Sequence, residues 1–435
     1  GMFASRMLSF EGCSFELRAC ERGGAERSLY DATIAFWEAL LRDIERCCEL
    51  TGREVATMQR LYWGAHQSFF KQLLNSIKAA FAIREAEAAL RKGHAVVIGL
   101  ISTGEAKANE AAERERGLGR ELEGEVSTPF EIARDMLEKH LPVTTSVDAG
   151  AVVVDAACEL RAALLARLES IDMPANALDL IIKHFGVSRV AEMTGRRMRF
   201  VDDGTGGQRY EARAQPGVSH DQVNILEKKA FLDGSKPVAI ISDAASSGIS
   251  LHADPRFANT RKRTHVTLEL AWSADKMLQQ FGRTHRSNQL VAPHYVVLVS
   301  NVGGEQRFAS SVARKLEMMG AITRGDRRGG HGAAADLVQY NLDTTFGHTA
   351  LALMLDAVAT KAEATALADK ALQMLQCHRD GVPSLLGLSV LAVARRSVRN
   401  VARDQAALER LPPSIRRYVT TLRDGFRNAG VAAKR

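Results

Sequence analysis

The residues best placed to do chemistry are Gln279-Gln280-Phe281-Gly282-Arg283-Thr284-His285-Arg286. Arg283 and Arg286 lie three apart behind a glycine, and a guanidinium is a fixed, always-charged fork of donors that matches phosphate oxygens. On one helical face the two could both point at a triphosphate. An arginine supplied from a neighbouring lobe neutralises charge on a transferring γ-phosphoryl group. A solvated helix turn with surface ion pairs would carry the same residues, so the surrounding segments decide between the two.

Two other segments supply that context. Ser242-Asp243-Ala244-Ala245-Ser246-Ser247-Gly248-Ile249-Ser250-Leu251 directly follows the apolar run Pro237 to Ile241, and Ser102-Thr103-Gly104-Glu105 follows the run His94 to Ile101. In an open parallel α/β sheet, ligands bind beyond the carboxyl ends of the strands, where small hydroxyl residues and glycine let a phosphate or sugar approach the backbone.

The elements that must hold these loops are legible in the apolar pattern. HAVVIGLI (His94 to Ile101), PVAIIS (Pro237 to Ser242) and HYVVLVS (His294 to Ser300), with a shorter candidate at His265 to Leu270, read as parallel strands buried on both faces. A polar turn and a helical pattern follow each, which predicts an open parallel α/β sheet. Upstream, helical spacing covers Ser28 to Leu50 and Met58 to Lys92. The second stretch holds an aromatic cluster (Tyr62, Trp63, Phe69, Phe70, Phe81) that reads as core, with His66 structural within it.

Between the first two strands the interval from Glu105 to Leu232 reads as an insertion. It opens on a charged helical run. Thr128-Pro129-Phe130-Glu131 predicts a capping box with a helix to about His140, and a further helix is expected from Ala149 to Glu169. Arg196 to Arg213 alternates around a glycine-rich turn and reads as a hairpin, so Thr205-Gly206-Gly207 is its turn rather than a phosphate nest. Arg256, Arg261, Lys262 and Arg263 form a basic loop that suits a phosphate contact or plain solvation equally well. Thr323-Arg324-Gly325-Asp326-Arg327-Arg328 reads only as a charged helix terminus.

Composition narrows the function classes. At 435 residues with 46% hydrophobic and 25% charged residues the chain is globular and large enough for two or three domains. Its longest apolar runs fall short of the roughly 18 residues that span a bilayer, so no membrane partner is expected. The cysteines form no CxxC pair and no even spacing, which gives no zinc site or disulfide frame and fits a reducing compartment. Residues 395–435 carry more positive charge than the whole net +7, so the basicity belongs to a tail, suited to phosphates, acidic proteins or mere solvation. The sequence contains no Gly-Lys pair and no Asp-Glu pair, hence no GxxxxGK[ST] loop and no acidic DExx element for ATP and its Mg2+.

Taken together, VVIGLISTGEA (Val96 to Ala106), ISDAASSGISL (Ile241 to Leu251) and QQFGRTHR (Gln279 to Arg286) resemble motifs IV, V and VI in the second lobe of a superfamily 2 helicase. With WGAHQSFFK (Trp63 to Lys71), VSTPFEIARDMLEKHLP (Val126 to Pro142), VAEMTGRR (Val190 to Arg197) and GGEQRFASSVARKLEMMGAITRGDRR (Gly303 to Arg328), the resemblance is to the strawberry notch family of helicase-like proteins, over about Trp63 to Leu355. It implies an α/β, RecA-like parallel sheet over residues 93–320 with a mainly helical insertion at about 105–232. Residues 1–92 would be a helical lead-in from an upstream lobe that holds the ATP-binding elements, with Gly1 marking a cut. Residues 321–435 would be a helical, basic C-terminal region.

By the same resemblance Arg283 and Arg286 would be arginine fingers for ATP held by the upstream lobe, and Gln279 and Gly282 would shape their turn. Asp243, Gly248 and Ser250 would face the nucleotide, with Ser246 and Ser247 coupling it to nucleic acid, although a serine where many relatives carry an acid weakens the case for ribose contact at Ser250. Ser102, Thr103 and Gly104 would touch the DNA or RNA backbone, joined by Arg261, Lys262 and Arg263. The implied partners are the upstream lobe, DNA or RNA, and chromatin or transcription proteins, in the nucleus or the cytoplasm. A scaffold that binds protein partners without productive ATP turnover is the alternative.

Overall fold

The computed structural model describes residues 12–302 and Glu305, apart from 123, 146–151, 203, 205–207, 215–216, 243–247 and 272–273. The basic C-terminal region and the segment Thr323 to Arg328 therefore lie outside the described residues.

The core is a six-stranded sheet in the order β1 (Ser14–Cys20), β8 (His294–Ser300), β7 (Arg263–Thr267), β2 (Ala95–Gly99), β6 (Val238–Ile241) and β3 (Val190–Met193), with every neighbouring pair parallel. The continuous apolar runs sit in its middle, as burial on both faces requires. On one face α2 (Val55–Arg91) and α6 (Ala177–Phe185) cover Val96, Ile98, Val238, Ile240 and Val266. The small residues Ala79, Ala82, Ala86 and Ala89 let α2 lie close to the sheet. On the other face α7 (His220–Asp233) and α8 (Ala274–Phe281) close two further clusters, one around Val97, Phe231 and Ile241 and one around Phe281, Tyr295 and Val297. α1 (Gly24–Thr51) ends at Gly52, whose φ of +70° forms a left-handed cap. Its fully buried Trp37 packs against Tyr62, His66 and Phe69 of α2, so the aromatic cluster is core, as expected.

Three expectations change. The lead-in is not wholly helical: β1 pairs with β8 along its whole length and stacks Phe15 on Tyr295 at 4.7 Å. The interval Glu105 to Leu232 is not all insertion, because α6, β3 and α7 belong to the core layers. What stands outside the sheet is α3 (Glu105–Gly117), α4 (Thr128–Asp135) with a π-helical turn over Met136–His140, α5 (Asp155–Glu169) and the hairpin β4 (Met198–Asp202) and β5 (Gln208–Ala212). No capping box forms at Thr128. Ser127 is the N-cap without a side-chain bond, and Glu131 turns instead to Arg114 and Arg134.

Candidate functional site

The six strands of the core sheet run in one direction, so the loops after β2, β6 and β7 emerge together at the carboxyl edge. After β2, Gly104 adopts φ +71° and caps α3; a Cβ there would run into Asn176 and Thr128 side chains. The same glycine thus lets α3 start beside α6, whose cap Asn176 donates to Thr128 Oγ1 at 2.9 Å. Ser102 and Thr103 just ahead of it are partly exposed, and the loop is held from below. Glu269, buried beyond the end of β7, accepts from the Ile101 and Ser102 backbone N–H groups at 2.8 and 2.9 Å, while Lys71 of α2 pairs with its other oxygen at 2.6 Å. Two turns further along α2 the buried Lys78 donates to Leu268 O at 2.5 Å and pairs with Glu305.

After β6, Asp243, Ser246 and Ser247 lie outside the described residues. Gly248 has φ +77°, and Ser250 is partly buried beside it. Leu251 N donates to Arg283 O at 2.7 Å, and Leu290 N donates to Ala253 O at 2.9 Å. The turn carrying the arginines is therefore stitched to the segment that leaves Gly248.

That turn is not a helical face. α8 stops at Phe281 and the chain continues in tight turns, with Arg283 N bonded to Gln280 O and Thr284 N to Phe281 O. Gln280 is buried against Gly99, where a Cβ would lie 2.7 Å from its amide carbon, so the glycine at the end of β2 makes room for it. Gln279 is exposed and Gly282 partly so. Arg283 is partly buried, Arg286 is exposed, and the intervening Thr284 is fully buried. Near Arg286 lies His252, whose Nε2 sits 3.3 Å from Asp254 Oδ2. Burial lowers this imidazole below its usual range, Asp254 opposes the shift, and Arg286 adds to it.

The basic loop is a correction. Arg261, Lys262 and Arg263 precede or open β7, at the amino edge, across the sheet from Ser102 and Gly248. Arg263 is fully buried beneath Phe231. Its guanidinium donates to the carbonyls of Leu251, His252, Asn259 and Arg261 and to Asn259 Oδ1, and burial lowers it to about 10. A group so enclosed cannot meet a phosphate backbone. Arg261 bonds Asn259 Oδ1 and Gly234 O, and Lys262 gives its carbonyl to Ala95 N.

At the edge strand β3, Glu192 sits in an otherwise apolar run. Arg196 bonds it at 2.6 Å and reaches Asp179 at 2.5 Å, while Arg213 pairs with Glu192 at 3.4 Å and donates to its main-chain oxygen at 2.5 Å. Burial alone would raise the Glu192 carboxyl, but the two guanidiniums hold it below its ordinary value. This buried cluster fixes the base of the β4–β5 hairpin. Glu105, at the start of α3, accepts from Arg197 and Met198 N–H at the same base.

A cavity of about 590 Å3 lies elsewhere, against α3 and α4, lined among others by Glu131 and by Arg114 and Arg134, both of which already pair with it. At the carboxyl edge the described residues place the partly exposed Ser102, Thr103 and Ser250 with the partly buried Arg283 and the exposed Arg286. Such groups suit anionic oxygens.

Comparison with known proteins agrees with this architecture. A family model described as the C-terminal domain on Strawberry notch homologue matches residues 176–420. Protein strawberry notch homolog 1 of Rattus norvegicus is 35% identical over 442 residues, covering 82% of this chain and 34% of the relative. Protein strawberry notch homolog 2 of Homo sapiens is 34% identical over 92% of this chain and 35% of its own length. Protein strawberry notch of Drosophila melanogaster is 51% identical over 201 residues, 46% of this chain. The chain thus spans about a third of the length of the first two relatives. It belongs to the strawberry notch family and carries that family's helicase-like C-terminal domain.

Proposed function

We propose that this chain is the second motor lobe of a superfamily 2 helicase-type ATPase. In this reading an upstream lobe holds ATP and its Mg2+, and Arg283 and Arg286 reach the γ-phosphate across the gap. The loop Ser102–Gly104 grips a DNA or RNA backbone, and the turn around Gly248 and Ser250 links the two. The groups at the carboxyl edge are guanidiniums and hydroxyls, which suit phosphate oxygens; the carboxylates that a Mg2+ requires would come from the upstream lobe. Transcription or chromatin regulation in the nucleus is the setting this reading favours.

The observation that carries the reading is the 2.7 Å bond from Leu251 N to Arg283 O. It makes the arginine turn and the turn after β6 a single unit at the edge where a parallel sheet binds ligands. In the longer protein with its upstream lobe, Arg286→Ala should lower ATP turnover by roughly 10³-fold, as loss of an arginine finger does. Turnover of Arg286→Ala at the wild-type rate would remove the finger role of Arg286, and no turnover in the unsubstituted longer protein, with or without nucleic acid, would remove the motor reading and leave a scaffold that binds protein partners.

A further inference from the structure

β7 is the central-sheet strand whose one face is polar and yet entirely buried. Arg263 and His265, two residues apart, point to the same side, as strand periodicity demands, and both are fully buried. Each reaches one half of the stitched unit described above. Arg263 holds the Leu251 and His252 carbonyls, on the segment that leaves Gly248. His265 Nδ1 lies 3.0 Å from the hydroxyl of Thr284, the residue between His285 and Arg283.

Thr284 has no room to do anything else. Its hydroxyl donates to Phe281 O at 3.1 Å and lies 3.4 Å from Tyr295 Oη, and Tyr295 in turn donates to Phe281 O at 2.9 Å. Phe281 is the last residue of α8, so this small polar knot ends the helix and sets the path of the next residues. The rings of His265, Phe281 and Tyr295 close around it, with centroids 4.5 to 5.8 Å apart. A buried hydroxyl with several partners tolerates few alternative positions, because any shift leaves one of them unmade.

We propose that β7, with Tyr295 of the neighbouring β8, positions the arginine turn: His265 and Tyr295, through Thr284, set the course of Arg283 to Arg286, and Arg263 sets the segment to which Arg283 is bonded. None of the four touches a phosphate. They act through the backbone that carries the arginines. The proposal rests on the motor reading only for its catalytic readout, since the placement of the turn can be measured without ATP.

The test uses Thr284→Val, which keeps the shape and loses the hydroxyl, and Thr284→Ser, which keeps the hydroxyl. Ile182→Val on α6, at the far face of the sheet, serves as a control of similar small stability cost. In this chain, hydrogen exchange at the Leu251 amide should quicken about tenfold or more in Thr284→Val relative to the Ile98 amide of β2, and stay within about twofold in Thr284→Ser and Ile182→Val. In the longer protein, Thr284→Val should lower kcat for ATP about tenfold with KM within about twofold, and Thr284→Ser should restore it. Unchanged Leu251 exchange in Thr284→Val, or equal changes in all three variants, overturns the proposal. Faster exchange with wild-type turnover in both Thr284→Val and Arg286→Ala keeps the positioning of the turn and removes the arginine-finger role instead, whereas no turnover in the unsubstituted longer protein removes the motor reading.

Discussion

Arg263 and Arg286 carry the same guanidinium and sit at opposite edges of one sheet. The first spends its donors on backbone carbonyls inside the protein; the second is exposed at the carboxyl edge. In sequence both looked like phosphate contacts, and charge alone could not separate them. What separates them is strand direction. A residue that opens a parallel strand lies at the amino edge, where the core of the sheet needs its loops tied down, whereas one that follows the strand lies where ligands arrive.

Stability is the most direct way to break this contrast. Arg263→Met should cost this chain about 3 kcal/mol or more in urea unfolding, because it strands several buried carbonyls at once. A loss below about 1 kcal/mol would show that the guanidinium is dispensable. Glu192→Gln should cost about 2–3 kcal/mol by leaving Arg196 and Arg213 under-compensated in the interior, which would place the β3 charges with Arg263 rather than with Arg286. Gly99→Ala should cost about 1–3 kcal/mol by pushing Gln280 out of its slot.

A smaller effect concerns buried histidine. Burial among aromatic rings lowers His66 to about 4, and burial lowers His265 to about 3. Both are neutral when folded and take a proton more readily when unfolded, so the stability they give is complete above about pH 6.5 and is lost as pH falls toward these values. His66→Phe should flatten part of that decline, read as the melting temperature between pH 7 and about 4. An unchanged slope would place the ring in contact with water. Smallest of all, Arg286→Ala should change the unfolding free energy in urea by no more than about 0.5 kcal/mol, as an exposed side chain predicts.

The central strands were legible because apolar, β-branched runs bounded by polar turns have few other readings. The hairpin was legible for the same reason at period two. β1 was not, since Ser14–Cys20 mixes Glu16 and Arg18 with apolar residues and becomes a strand only through its long-range pairing with β8. β3 was hidden by Glu192, whose charge is tolerable there only because Arg196 and Arg213 arrive from outside the strand. The arginine turn was found from residue types, but its supports were missed. Glu269, His265 and Tyr295 lie in segments that read as plain strand, and nothing local says that Glu269 will accept two N–H groups from another loop. A lone acid just past a buried run is the signal that was there to read.

The placement of Ser14–Cys20 has a practical side. A shortened protein beginning at α1 would leave the outer rim of His294–Ser300 with an open row of amide hydrogens and carbonyls and strip the ring of Tyr295 of its cover by Phe15. Such a rim invites another chain to add a strand, so recombinant fragments of this region should keep everything from residue 12 onward if they are to stay monodisperse.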